Sequence, residues 1–160
     1  MKIVVVSDNH GYFKEVQQVI EKEAPFDMLL HCGDVCGQLS MVLSEAFEVH
    51  AVNGNCDFPG TFPPFEIIDI PSHRILLEHG HRLGVKTGYD RIVAKAKENG
   101  CDIALYGHTH VAEIEEQDDV YLLNPGSLVY PRGAEGRPSY GVIGINEKTG
   151  AFSGEIRYFS

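Results

Sequence analysis

Basic residues are scarce in this 160-residue chain. Thirteen lysines and arginines stand against 23 aspartates and glutamates, a formal net charge of -10. Binding a long nucleic acid rests on Lys and Arg neutralising phosphates, so this balance argues against an enzyme of long duplexes. A small anionic substrate is still compatible, because a bound cation inverts the field of its own site. Long apolar runs are also missing. The stretch Ile3–Val6 after Lys2 is only four residues long, whereas a secretory core needs about 7–15 and a membrane helix about 20. The expectation is a cytoplasmic protein with no membrane partner.

Cysteine is sparse too, and none of Cys32, Cys36, Cys56 and Cys101 belongs to a paired C-x-x-C cluster. Cys32 and Cys36 offer half of a zinc site with no second half, so the four read as reduced thiols, small residues buried near loops. No repeat, low-complexity tract or long linker interrupts the chain. Its length suffices to bury roughly two-thirds of the unfolded surface, so residues 1–160 are expected to form one domain.

What is present is an alternation of short apolar strands and helical spacing. Ile3–Val6, Met28–Leu30 and Phe47–Val52 read as strands, separated by helices over Tyr12–Glu23 and Gln38–Ala46. That order predicts a largely parallel sheet. After the proline-rich loop Phe58–Pro64 come strands at Phe65–Ile70 and Arg74–Glu78, joined by the turn Pro71-Ser72-His73. A helix over Asp90–Asn99, closed by Gly100, precedes the strand Ile103–Tyr106. Strand-like segments at Val111–Glu116, Val120–Leu123, Tyr140–Asn146 and Phe152–Tyr158 make the last third look antiparallel. Two packed sheets with helices outside fit this order.

Seven residues of metal-ligating type follow these strands. They are Asp8 and His10, Asp34, Asn55, His79, and His108 and His110, each beside a glycine or a strand end. Carboxyl ends of parallel strands are where open α/β sheets bind ligands, and loops leaving neighbouring ends converge. In extended backbone, residues i and i+2 point the same way, which pairs Asp8 with His10 and His108 with His110. Taken singly, Asp8 reads as the cap of the Tyr12–Glu23 helix, and Asp34 and Asn55 as turn residues. The ordered set, with every member at a strand end, reads as a site for divalent cations. Two such cations imply phosphoryl-transfer chemistry.

With Asp8-Asn9-His10, Gly33-Asp34, Gly54-Asn55-Cys56-Asp57, His79 and Gly107-His108-Thr109-His110 in that order, the chain resembles the calcineurin-like metallophosphoesterases. The likeness is to their small bacterial and archaeal phosphodiesterase branch, and Asn124-Pro125-Gly126-Ser127 extends it. The resemblance implies a four-layer αββα sandwich of two mixed β-sheets flanked by helices. It also implies two metals bridged by Asp34. Asp8, His10, Asp34 and His110 would hold one, and Asp34, Asn55, His79 and His108 the other. A hydroxide between the two ions would attack phosphorus, with Asn55 contacting the phosphate. The ligand set favours Mn, Fe, Ni, Co or Zn over Mg or Ca, and the resemblance favours manganese.

Cys56 departs from the pattern, since many relatives carry there a histidine able to protonate the departing oxygen. A thiol, with a reference pKa near 8.5, is a weak substitute. The expectation is a preference for good leaving groups, or a proton from elsewhere, His81 being the nearest candidate. Asp57 is expected to orient a histidine or cap the following turn. Arg132 and Arg137 are read as solvated loop charges. The expected substrate is a small phosphate ester, and a homo-oligomer is compatible with the sequence. The alternatives are a non-catalytic interaction scaffold on the same fold, as in the small subunit of the eukaryotic retromer coat, and a nucleotide or polyphosphate hydrolase.

Overall fold

The computed structural model describes residues 1–159. Strand β1 (Lys2–Val6) leads into helix α1 (Phe13–Glu23), then β2 (Met28–His31) and β3 (Glu48–Ala51). Strands β4 (Phe65–Ile70) and β5 (His73–Glu78), helix α2 (Asp90–Glu98) and β6 (Ile103–Leu105) follow. The chain closes with β7 (Glu113–Gln117), β8 (Val120–Asn124), β9 (Ser139–Ile145) and β10 (Phe152–Tyr158). Two five-stranded sheets result, ordered β10-β9-β1-β2-β3 and β4-β5-β6-β8-β7. In the first, β1, β2 and β3 run parallel; in the second, β5, β6 and β8 do. The remaining pairings are antiparallel.

The apolar runs are continuous because both faces of the central strands are covered. Ile3, Val5 and Leu30 meet Ile75, Leu77, Ile103 and Leu105 between the sheets. The alternate residues Val4, Val6 and Leu29 pack with Val16, Val19 and Ile20 of α1. On the far side, Leu76 and Ala104 pack with Ile92, Val93 and Ala96 of α2. The layers are therefore α1, sheet, sheet, α2: the four-layer sandwich. No helix among the described residues is long and apolar enough to cross a membrane.

Three expectations need correction. Gln38–Ala46 is not a helix; a single 3-10 turn, Leu39–Met41, stands there. Leu39 and Val42 find buried surface, while Leu43 is exposed, and the Ser44 hydroxyl accepts from the Ala46 N–H (3.1 Å). That local bond competes with helix continuation. His73 belongs to β5 rather than to the preceding turn. The last third is not wholly antiparallel, since β8 pairs parallel with β6 and β9 crosses to the other sheet beside β1. Such pairings join distant segments and leave no local trace.

Glu23 ends α1 as a buried carboxylate. It accepts from Tyr140 Oη (2.6 Å) and Arg157 Nη1 (2.5 Å), with Lys2 Nζ at 2.9 Å. Burial pushes this carboxyl up, but Tyr140, Arg157 and Lys2 outweigh it and bring it down from 4.5 to about 2. A depressed folded-state pKa means that the stabilisation is complete above pH 4.5 and disappears as pH falls towards 2. Glu23→Gln is expected to lower unfolding free energy by about 2 kcal/mol at pH 7, and by less at pH 3. Urea titrations at both values test this; a deficit of equal size at pH 7 and pH 3 would refute the charged network.

Candidate metal centre

Asp8 and His10 follow β1, Asp34 follows β2, and Asn55 follows β3; His79 follows β5, and His108 and His110 follow β6. Every one of these strands belongs to a parallel run, so the seven residues meet at one edge of both sheets. At five of the seven the backbone is not extended, however. Asp8 (φ 55°), His10 (44°), Asp34 (55°), His108 (70°) and His110 (60°) all lie in the left-handed region. The i, i+2 argument from extended geometry therefore fails, although the pairs it predicted do share the site. Each such residue costs on the order of 1 kcal/mol, offset here by hydrogen bonds between loops. Asp8 N–H donates to the Gly33 carbonyl (3.0 Å), His10 N–H to Asp34 (3.0 Å) and Gly11 N–H to Val35 (2.9 Å). Asp8 caps no helix; Tyr12 holds the cap position of α1, without a side-chain bond.

Asp8, His10, Asp34 and His110 each aim one ligand atom into a space where all four lie within 4.8 Å of one another. Asp8 Oδ1 is 3.1 Å from His110 Nε2 and 3.6 Å from His10 Nε2, and the two imidazole nitrogens are 3.3 Å apart. Beside this group, Asn55 Oδ1 sits 3.0 Å from both His79 Nε2 and His108 Nδ1. Asp34 Oδ2 joins the two sets, 3.7 Å from His10 Nε2 and 3.3 Å from His79 Nε2. Close approach depends on glycine at two positions. A Cβ on Gly54 would overlap the Asp34 carboxylate, and one on Gly107 would overlap Ser7 Oγ and Asp8 Oδ2.

The convergent atoms are electron-pair donors. His79 Nδ1–H donates to the Cys32 carbonyl (2.8 Å) and His110 Nδ1–H to the Tyr130 carbonyl (2.8 Å). Those bonds fix the tautomer and leave each Nε2 lone pair facing the carboxylates. Asp8 Oδ1 is buried without any hydrogen-bond donor. Oxygen and imidazole lone pairs gathered around an undonated buried carboxylate oxygen fit a divalent cation. The protonation tendencies agree. Burial pushes the Asp8 carboxyl up, but His10, His110 and His79 pull it well below the carboxylate range. Burial presses His79 down, but Asp34 and Asp8 raise it, so the Nε2 position facing those carboxylates favours a positive charge, whether from a proton or from a cation. Burial, then the charge of His79, lowers His108 to about 4, leaving it neutral near pH 7.

Neither Cys56 nor His81 lies inside this lone-pair cluster. Cys56 is exposed, and its N–H donates to Asp34 Oδ1 (2.8 Å). Burial and the Asp34 charge raise its thiol, which stays protonated near neutral pH. His81 lies 5.3 Å, ring to ring, from His79 and 6.0 Å from His108. Burial and the His79 charge lower it, so it too is neutral. Of the four free thiols, Cys32 and Cys101 are buried as expected, but Cys36 is half-buried and Cys56 exposed.

Sequence reasoning missed the braces. Asp57 orients no histidine; its Oδ2 accepts from the N–H groups of Asp34 (2.9 Å) and Gly54 (2.7 Å), and its Oδ1 from Cys36 N–H (2.8 Å). Three donors on one carboxylate tie the β2 and β3 loops together. Asn124 donates to the Gly107 carbonyl (3.1 Å) and Thr109 Oγ1 (2.9 Å), fixing the His108–His110 turn. Ser127 Oγ donates to the Asp8 carbonyl (2.8 Å) and accepts from Tyr130 N–H (2.9 Å). The Asn-Pro-Gly-Ser motif was the available signal for the last two. Arg137 donates to the Phe159 carbonyl (3.0 Å), away from the cluster.

A two-sheet sandwich carrying carboxylates and imidazoles at its parallel strand ends defines a metal-binding α/β protein. The calcineurin-like phosphoesterase superfamily domain matches residues 1–148, and the chain belongs to that family. It is 35% identical over 133 residues to a probable metallophosphoesterase, YsnB, of Bacillus subtilis, spanning 82% of this chain and 78% of that one. It is 30% identical over 170 residues to the phosphodiesterase YfcE of Escherichia coli, spanning 89% and 87%. Among solved structures, Vps29 of Entamoeba histolytica complexed with zinc superimposes with a TM-score of 0.76. That likeness, at 24% identity over the whole of both chains, is one of fold.

Proposed function

We propose that this single-domain chain is a binuclear phosphodiesterase acting on small phosphate esters. The observation that carries the reading is Asp34 Oδ2, placed between two sets of lone-pair donors. Asp8, His10 and His110 would hold one ion with Asp34; Asn55, His79 and His108 would hold the other. When bound, the ions neutralise phosphoryl charge and activate water as nucleophile. Manganese heads the expected metals, with Fe, Ni, Co or Zn as substitutes, and the zinc-bound Entamoeba protein supports an open choice on this fold.

The chain's own residues set the rest of the chemistry. Asn55 Oδ1 would serve as ligand, and its amide would donate to a phosphoryl oxygen. The charge of Asp8 and Asp34 is held by imidazole contacts and by the N–H groups of His108 (3.1 Å) and Cys56 (2.8 Å). For the departing oxygen there is a protonated thiol at Cys56 and a neutral imidazole at His81, both weak acids. Good leaving groups are therefore preferred.

Metal titration with a chromogenic diester tests the reading, and a non-catalytic scaffold would bind metal without turnover. A substrate panel including nucleotides and polyphosphates distinguishes the remaining alternative. Cys56→His is expected to raise hydrolysis of alkyl esters at least tenfold more than that of aryl esters, because general acid catalysis is typically worth about 10²–10⁴-fold. Equal gains on both ester classes would refute the leaving-group account.

A further inference from the structure

A cavity of about 690 Å³ opens beside Asn55 and His81. It leads away from the metal cluster on the His79 side, between the Pro59–Phe65 segment and the loop after β5. Beyond Asn55 and His81, Phe62, Pro64, Phe65 and Leu83 form an apolar stretch of its wall. Two carboxylates also line it: Asp57, taken up by three N–H donors, and Glu78, paired with Lys95. Lys95 also borders it, but that charge is occupied. Its Nζ pairs with Glu78 (2.8 Å) and lies over the Phe65 ring, 3.7 Å from the centroid. Arg82 is different: it lines the same cavity, is exposed, and has no ion-pair partner among the described residues.

The wall is built rather than loose. Asn53 spans the segment, donating from Nδ2 to the Phe58 carbonyl (3.1 Å) and accepting at Oδ1 from Phe62 N–H (2.9 Å). The Phe58 carbonyl also accepts from Thr61 N–H (3.1 Å) and Thr61 Oγ1 (2.7 Å). Pro59, Pro63 and Pro64 stiffen the remainder. Phe62 is thereby presented to the cavity by a fixed backbone, the condition under which an apolar group binds without ordering its own pocket.

We infer that this cavity receives the alcohol portion of the ester, and that it selects a flat apolar ring carrying an anionic group at its far end. The inference rests on the phosphoesterase reading and adds the substrate class to it. The phosphoryl group sits at the Asp34 cluster, Asn55 and His81 mark the passage from it, and the ring packs against Phe62, Phe65 and Leu83. Arg82 then meets a carboxylate or second phosphate by a charge-assisted hydrogen bond. Alkyl esters of methyl size leave the cavity empty and gain nothing from it.

The test uses the full-length, metal-loaded protein and three non-hydrolysable probes: methylphosphonate, phenylphosphonate and 4-carboxyphenylphosphonate. Calorimetry gives their affinities directly, and inhibition of bis(p-nitrophenyl) phosphate hydrolysis gives them independently. Phenylphosphonate is expected to bind about tenfold tighter than methylphosphonate, from burial of the ring, and the carboxylated probe several-fold tighter again. The double variant Phe62→Ala, Leu83→Ala should erase the phenyl preference. Arg82→Gln should erase only the carboxylate preference. Methylphosphonate affinity should stay unchanged throughout, which certifies intact folding and metal loading. Equal affinity of the parent protein for all three probes would overturn the inference, as would variants that keep both preferences. Absence of ester turnover, with the calorimetric order intact, would instead overturn the phosphoesterase reading and leave the cavity assignment standing.

Discussion

Asp34→Asn is expected to reduce metal-dependent hydrolysis of bis(p-nitrophenyl) phosphate on the order of 10³-fold, about 4 kcal/mol of transition-state stabilisation. Asp34 Oδ2 approaches His10 Nε2 at 3.7 Å and His79 Nε2 at 3.3 Å, closer to His79 than Asp8 Oδ1 comes at 3.9 Å. Asparagine keeps an oxygen for the Cys56 N–H, now 2.8 Å from Oδ1. It then turns an NH2 group, a donor, into the space where a cation needs lone pairs. The metal-free fold is weakened only slightly, because relief of the Asp8–Asp34 repulsion partly offsets the lost charge contact with His79. A melting temperature within about 3 °C of the parent, measured without metal, is the companion expectation. Undiminished turnover in this variant would sink the two-metal account.

Asp57→Ala is expected to be the most destabilising single change near the site, although Asp57 lies outside both lone-pair sets. It removes the acceptor of three N–H groups, those of Asp34, Cys36 and Gly54. Buried donors without acceptors cost about 1–3 kcal/mol each, and partial rehydration brings the total to about 3 kcal/mol. For a chain of this size that corresponds to a melting temperature lower by roughly 9 °C. Metal affinity should fall about 10–100-fold, the usual effect of losing a supporting contact behind a ligand. Thermal melts and metal titration read the two effects separately. A variant matching the parent in both would show that the β2 and β3 loops hold themselves in place without the clamp.

The strand ends and the residues of ligating type that follow them were legible because each depends on a short, local pattern. An apolar run such as Ile3–Val6, followed by Asp8 and a glycine, says both where a strand ends and that a polar turn begins there. Helix α1 was legible from apolar spacing and α2 from the Gly100 that closes it, whereas in Gln38–Ala46 the exposed Leu43 and the Ser44 hydroxyl turn the chain away from a helix. The pairing of β8 with β6 was not legible, since nothing in either segment names its partner. Asp57 was misjudged for a related reason: its donors come from positions 34, 36 and 54, on two different loops. The left-handed backbone at Asp8, His10, Asp34, His108 and His110 was hidden as well, because contacts between loops impose it on residues that avoid it in isolation.

By itself, then, the sequence determined which side chains of metal-ligating type follow the strand ends, their order, and the family to which the chain belongs. Residue type and local spacing suffice for that. The direction of each lone pair was decided only in the tertiary structure, because the carbonyls that fix His79 and His110 belong to Cys32 and Tyr130, far along the chain. His10 and His110, 100 residues apart, face each other at 3.3 Å only because two sheets close on one edge. The cavity with its single free guanidinium is likewise a product of packing, since Phe62 and Arg82 lie on separate segments that the fold sets face to face.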